Sequence, residues 1–215
     1  MTGRTAFTRK ADRGSHDRLA ADAILAEALV GHLGFADATG APMVLPVAIA
    51  RDGDRVLFHG STGSRLFRTL ATGVPACLTV TLLDGLVLAR SAFESSMNYR
   101  SLVVVGSCEV VSGDDQWHAL QVITEHLTPG RWAQLRPMTA KEVAATMVLA
   151  LPLTEFSVKA RTGGTDEPLE DRDWPTWAGQ LPVVVGTATP IPQPDLPAGV
   201  PAPIAPRGLG GPGAL

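Results

Sequence analysis

Apolar and polar residues alternate along 76–82, where Ala76, Leu78, Val80 and Leu82 are apolar and Cys77, Thr79 and Thr81 stand between them. A period of two sends successive side chains to opposite faces, so this segment predicts a strand with one apolar face. Asp84-Gly85 follows with the composition of a type I′ turn, and 86–91 reads as the strand that returns beside the first. Upstream, the runs 33–37, 43–51 and 55–59 are further strands, separated by turn-forming stretches at 38–42 and 52–54. Pro46 interrupts the second run. It cannot donate to a ladder, which puts it at an edge, at a bulge or where backbone faces a ligand. Residues 101–111 carry valine or leucine on both faces and predict a central strand. The last strand is 151–161, with Phe156 and Val158 toward the core and Glu155, Ser157, Lys159 and Arg161 on its other face.

A helical period runs through 17–30, where Ala20, Ile24 and Ala28 share a face, Leu25 and Leu29 lie beside it, and Asp17 suits a cap. The period returns in Trp117, Leu120, Ile123 and Leu127, ended by Pro129-Gly130, and in Val143 with Met147 after a Thr139 cap. A short helix over 62–71 joins the strand 55–59 to the one at 76–82. About six antiparallel strands with covering helices predict a mainly β, α+β fold, a small closed or split barrel.

Composition changes this picture at the two ends. The 215 residues are 45% hydrophobic and 18% charged, which suits one globular domain with a sizeable core. Nine of the 17 prolines fall after residue 181, among glycines and almost no charge, so 182–215 is a tail that cannot build a core. The expected division is a basic segment over 1–16, a barrel domain over 17–181 and that tail. Gly208, Gly210 and Gly213 spell G-x-G-x-x-G within it, but no strand precedes them and no helix follows, so the match is coincidence. A net charge of −3 argues against a nucleic-acid partner. No stretch is long and apolar enough to span a bilayer, and Arg4, Arg9, Lys10 and Arg13 precede no apolar region of a secretory signal, so no membrane association is expected. Cys77 and Cys108 each lie in an apolar strand, as buried reduced thiols of a cytoplasmic protein do.

Chemistry concentrates in RVLFHGSTGSRLFRTL, residues 55–70. A strand runs into a hydroxyl-rich turn and then a helix with arginines. Ser61, Thr62 and Ser64 offer hydroxyls, Gly60 and Gly63 let backbone N–H groups approach, and Arg65 adds a fixed charge, which together make an anion seat or else a solvated, serine-capped turn. The Gly-Lys-Ser/Thr ending of a phosphate-binding P-loop is missing. The remaining histidines, His16, His32, His118 and His126, are scattered without metal spacing, and no Ser-His-Asp pattern is present.

The run HGS with its following SR, then CLTVTLLDGLVLARSAF and SMNYRSLVVVG, closely resembles the flavin-nucleotide-binding branch of the pyridoxamine 5′-phosphate oxidase family, the branch that includes nitroimidazole-resistance reductases. The resemblance covers roughly residues 9–182. It implies a split-barrel homodimer with FMN in a groove between the subunits. The phosphate positions matching the family are His59, Gly60, Ser61, Ser64 and Arg65, and the flavin ring edge is met by Pro46, Val47, Ala48 and Ile49. Asn98, Tyr99, Arg100 and Ser101 are expected to add contacts, reaching the cofactor of the other subunit. Trp177 and Arg161 match places where a ring covers the flavin or a cation meets substrate, or else are a rim tryptophan and a solvated arginine. His59 either donates to the phosphate or is a polar strand end, and Arg100 either meets ligand or pairs with Glu94 or Glu109.

The implied function is an FMN-dependent oxidoreductase that passes electrons to a small acceptor, with NAD(P)H as a candidate reductant. The alternatives are a non-catalytic flavin-binding or redox-sensing protein, or a barrel that holds deazaflavin or haem instead, with the lack of a well-placed histidine ligand speaking against haem. One departure stands out: where the branch carries two histidines between SAF and SMNYR, this chain has Glu94 and Ser95. A carboxylate there disfavours an anionic substrate.

Overall fold

A computed structural model describes residues 3–7 and 10–205. In chain order the elements are β1 (Gly14–Ser15), α1 (Arg18–Glu27), β2 (Val30–Ala36), β3 (Pro42–Ala48), β4 (Ala50–Asp52), β5 (Arg55–Ser61), α2 (Arg65–Leu70) and β6 (Pro75–Leu88). They continue with β7 (Ser96–Ser107), β8 (Glu109–Val111), α3 (Asp114–Leu127), α4 (Ala140–Ala145), β9 (Thr146–Pro152), β10 (Phe156–Arg161) and β11 (Gly179–Pro182). One sheet has the order β1-β10-β7-β6-β2-β3, with β11 also on β6; the other has the order β4-β5-β9-β8. Every pairing is antiparallel.

Two near-continuous strands pass from one sheet to the other. β3 becomes β4 through Ile49, and β7 becomes β8 through Cys108, and both corner residues are buried. These corners wrap the sheets around a core of Val47, Val56, Phe58, Leu78, Val80, Leu102, Val104, Leu149 and Leu151. Such a closed arrangement leaves few strand edges exposed. α1 packs onto this core with Ala21, Ile24 and Leu25, and Asp17 caps it by accepting from Leu19 N at 3.1 Å. α3 covers the outer face of the second sheet, where Ala119, Leu120 and Ile123 meet Leu57, Val148 and Ala150.

The α+β split barrel of the sequence reading is the observed fold, but several local expectations are corrected. Asp84-Gly85 is no hairpin turn: β6 runs straight through it, and only a bulge interrupts its register with β7 between Leu83 and Gly85. A type I′ turn needs positive φ at both central residues, and neither has it. Gly85 is instead where β11 comes close, since a Cβ there would lie 3.0 Å from the Leu181 carbonyl oxygen. Met147 belongs to β9, not to a helix; a short apolar run such as MVLAL does not distinguish a buried strand from a buried helix by period. The strand expected over 151–161 is instead the end of β9 and the whole of β10, which lie in different sheets on either side of a turn. The strands 43–51 and 101–111 are likewise broken, at the corners Ile49 and Cys108. Pro46 does lie in an edge strand, as its missing donor requires. The glycines 208, 210 and 213 lie outside the described residues.

Candidate functional site

β5 delivers the chain to the turn that was expected to seat an anion. Its pairing with β9 persists to the end, Gly60 opposite Met147 and Ser61 opposite Thr146. Gly60 is needed there for packing: a Cβ would lie 2.3 Å from the Phe67 ring, which folds back from α2 onto the strand. The Ser61 hydroxyl accepts from Gly63 N at 3.1 Å, and Ser64 N donates to the Ser61 carbonyl at 2.9 Å, which tightens the turn. Thr62 is spent on the scaffold, since its N–H and hydroxyl both donate to the Ala145 carbonyl. Ser64 is the N-cap of α2, yet its hydroxyl makes no cap bond. Arg65 is exposed and makes no hydrogen bond or ion pair among the described residues, its charge acting at longer range to help lower the Asp37 pKa behind the hydrogen bonds from Thr39. Arg65 and Arg68 line one open cavity of about 370 Å³ with Asp37, Thr69 and Thr72.

Residues 46–49 lie across from this turn. β3 pairs with β2 in one sheet, and beyond the Ile49 corner the chain continues as β4, which pairs with β5 in the other, so Pro46 to Ile49 lie where the strand passes from one sheet to the other. Val47 and Ile49 point into the core, whereas Pro46 is exposed and Ala48 half-buried. The Ile49 N–H is already used, donating to the Leu29 carbonyl at 3.1 Å.

His59 faces the opposite way from Phe58 and Gly60, toward α3. It opens onto a cavity of about 450 Å³ lined by Trp117, Leu120 and Thr124 of α3, by Trp132, Leu135, Arg136, Pro137 and Met138 of the following segment, and by Thr146. The imidazole makes no hydrogen bond among the described residues. It is exposed to that space, and partial desolvation by the cavity walls holds its pKa below the ordinary histidine value. A neutral ring with a free nitrogen is what metal ligation or proton transfer requires. The segment 128–139 that closes the cavity is pinned at both ends. Glu125 accepts from Gly130 N at 2.6 Å and Trp132 N at 2.7 Å, and Thr139 with Glu142 forms a capping box at the start of α4. Sequence reading placed His59 at a phosphate and missed the residues around it, because 128–139 has no hydrophobic period to announce which side it shows.

The second expected group gathers elsewhere, around the end of β6, the start of β7 and β11. Asn98 and Arg161 are both buried. Arg161 Nη1 donates to Asn98 Oδ1 at 2.6 Å and to the Gly163 carbonyl, Nη2 donates to the Gly164 carbonyl, and Asn98 Nδ2 donates to Gly163 O and to Gln180 Oε1. Arg100 pairs with neither Glu94 nor Glu109: it holds Asp84 and Glu27 at 2.6–3.2 Å, and these two hydrogen-bonded carboxylates raise its pKa. Ser101 Oγ donates to the Lys159 carbonyl, and Tyr99 is half-buried. Trp177 is 60% exposed, with Trp174 and Phe93 exposed in the same part of the chain's fold. Ser95 knits the 89–95 turn, accepting from Ala89 N and donating to Ser91 O, while Arg90 pairs with Glu167 and not with Glu94. Among the described residues no hydrogen bond or ion pair joins this group to residues 46–49 or 59–65 of the same chain.

The model of the pyridoxamine 5′-phosphate oxidase family matches residues 17–160. Among solved structures, the flavocytochrome Anf3 from Azotobacter vinelandii is 39% identical, covers 94% of each chain and superposes with a TM-score of 0.87. The FAD and haem binding protein from Mycobacterium smegmatis is also 39% identical, over 93% of this chain and 98% of its own, with a TM-score of 0.86. A 5-nitroimidazole antibiotic resistance protein from Bacteroides thetaiotaomicron shares the fold at 21% identity, over 68% of this chain and 85% of its own, with a TM-score of 0.58. No curated protein matches the chain.

Proposed function

The chain belongs to the pyridoxamine 5′-phosphate oxidase family, and from that premise we propose that it is a redox protein holding both a flavin and a haem. The observation that carries this reading is His59: a desolvated, unpartnered imidazole in a largely apolar cavity, two residues before the Ser61–Arg65 turn on the same strand. The two relatives at 39% identity, a flavocytochrome and an FAD and haem binding protein, support it.

The residues suit both groups. His59 would be the iron ligand, with Trp117, Leu120, Trp132 and Leu135 excluding water from the ring faces. Ser61, Ser64 and Arg65 would take the flavin phosphate, and the 46–49 backbone the ring edge. FAD, in place of the FMN of the sequence reading, is the proposed flavin; Arg65 and Arg68 lining one cavity, as two cations for a diphosphate, and the FAD and haem binding relative support it. When bound, a flavin exchanges a hydride or single electrons and a haem exchanges single electrons. The protein would therefore link a two-electron donor, NAD(P)H among the candidates, to a small one-electron or two-electron acceptor. Heat-released cofactor identified by chromatography and mass, with a reduced-haem absorption spectrum of the purified protein, tests this; flavin without haem in protein expressed with ample haem would reject the haem half.

We further infer a homodimer. Within one chain the 98–101 and Trp177 group lies apart from the 46–49 and 59–65 group, and Phe93, Met97, Trp174, Trp177 and Leu181 leave apolar area exposed around the former. A C2 partner would bring the two groups together and cover that area. A monomer in sedimentation at micromolar concentration with flavin still bound would overturn it.

A further inference from the structure

The lining of the His59 cavity includes one side chain with a permanent positive charge, Arg136, whose side chain is 67% exposed. Such placement puts an apolar body inside and a guanidinium toward the mouth. Haem is a flat apolar ring with two carboxylates on one edge, so its shape and charge follow the same division. Arg136 is not idle in the free protein. Nη1 donates to Glu142 Oε2 at 2.9 Å and to the Pro137 carbonyl at 3.0 Å, and Nη2 donates to Glu142 Oε1 at 2.5 Å. This pairing is the first cause that holds the Glu142 pKa down to about 2. Nε has no partner among the described residues, so the fork keeps donors to spare.

Resting on the haem reading above, we propose that Arg136 binds a carboxylate of the porphyrin and that Glu142 competes with the porphyrin for the same guanidinium. Glu142 also closes the capping box, accepting from Thr139 N at 2.7 Å while its own N–H donates to Thr139 Oγ1 at 3.3 Å. The residue that fixes the end of the closing segment thus also sets how strongly its arginine attracts an anion. Two neighbouring substitutions must then act in opposite directions. Arg136→Gln removes the attraction. Glu142→Gln removes the competitor yet keeps the cap, because glutamine serves in a capping box as glutamate does.

The test titrates the full-length apoprotein with ferric protoporphyrin and, separately, with its dimethyl ester, which has the same iron and ring but no carboxylates, following the main porphyrin absorption band. Arg136→Gln is expected to weaken the acid form about tenfold, the loss of one charge-assisted bond at a partly exposed site. Glu142→Gln is expected to tighten it about threefold, more at low salt. Neither should change the affinity for the ester by more than about twofold. If Arg136→Gln weakens acid and ester alike, or Glu142→Gln weakens the acid, the proposal is overturned while the haem reading stands. A wild-type protein that binds neither porphyrin through His59, with no band shift lost in His59→Phe, overturns the haem reading and the role of Arg136 together.

Discussion

Arg161 and His59 are both polar side chains near the end of a strand, set among apolar neighbours, and the protein treats them in opposite ways. Arg161 is 7% exposed and receives partners at both terminal nitrogens: the Asn98 amide oxygen and the carbonyls of Gly163 and Gly164. No carboxylate pairs with it among the described residues, so dipoles alone compensate its charge. His59 receives nothing, and faces a cavity instead. A buried polar group costs stability unless it is satisfied, and the chain's own groups satisfy Arg161; His59 is exposed to its cavity and its ring is left to a ligand. Chemical type therefore does not separate scaffold from site here; satisfaction does. Asn98 and Arg100, which a family resemblance puts beside a cofactor, are by this measure engaged in holding β7 to β6, β11 and α1 within one chain.

The sharpest way to break the comparison is Arg161→Leu. It strips Asn98 Oδ1 and the Gly164 carbonyl of their donor inside the fold, and a loss of roughly 3 kcal/mol in urea denaturation is expected. Haem affinity of the protein that remains folded should not move, because none of these residues lines the His59 cavity. A stability change below about 1 kcal/mol would mean that water replaces the guanidinium and that the network is no structural pin.

His59→Phe tests the other side. No hydrogen bond is lost and apolar area is added to an apolar cavity, so the fold should be as stable as wild type or more so. Haem affinity should fall about 100-fold with the loss of the iron–nitrogen bond, while flavin content is unchanged. Retention of a wild-type haem spectrum would assign ligation to another residue. A smaller effect is expected at the turn, where Arg65→Ala should weaken FAD or FMN about tenfold and riboflavin hardly at all, because the charge it removes belongs to the phosphate. Equal weakening of all three would make Arg65 structural.

How much of this could be read in the chain follows the same division. Strands with one solvated face announced themselves, as in 76–82, and so did the caps at Asp17 and Thr139, because each rests on a local rule. The Asp84-Gly85 hairpin misled because its composition is local while its conformation is decided by β7 and β11 on either side. β9 was hidden because a strand buried on both faces loses the alternation that would reveal it. The anion turn was legible as a stretch of residue types. The cavity was not, since it forms between His59 and a segment some 70 residues away that has neither period nor motif. Which way His59 points was in fact implied by the alternation with Phe58 and Gly60, but only once the core side of β5 is known.

The smallest expected effect is the dependence of apoprotein stability on pH, and it bears directly on whether His59 is desolvated. Burial against Trp117, Leu120 and Trp132 depresses its pKa in the folded state, while the unfolded chain titrates near about 6.5. Below that value the unfolded state binds a proton that the folded state resists, so stability falls as pH drops through the window between the two, and rises again with pH. The carboxylates with depressed values, Asp37, Asp52, Glu142 and Glu167, contribute stability that is lost only at lower pH, so the two effects separate. Urea midpoints of the apoprotein measured at about pH 7.5 and about pH 5.5 should drop for wild type and drop less for His59→Phe. Identical pH slopes in the two proteins would show that water fills the cavity and solvates the ring, which would remove the observation on which the haem reading rests.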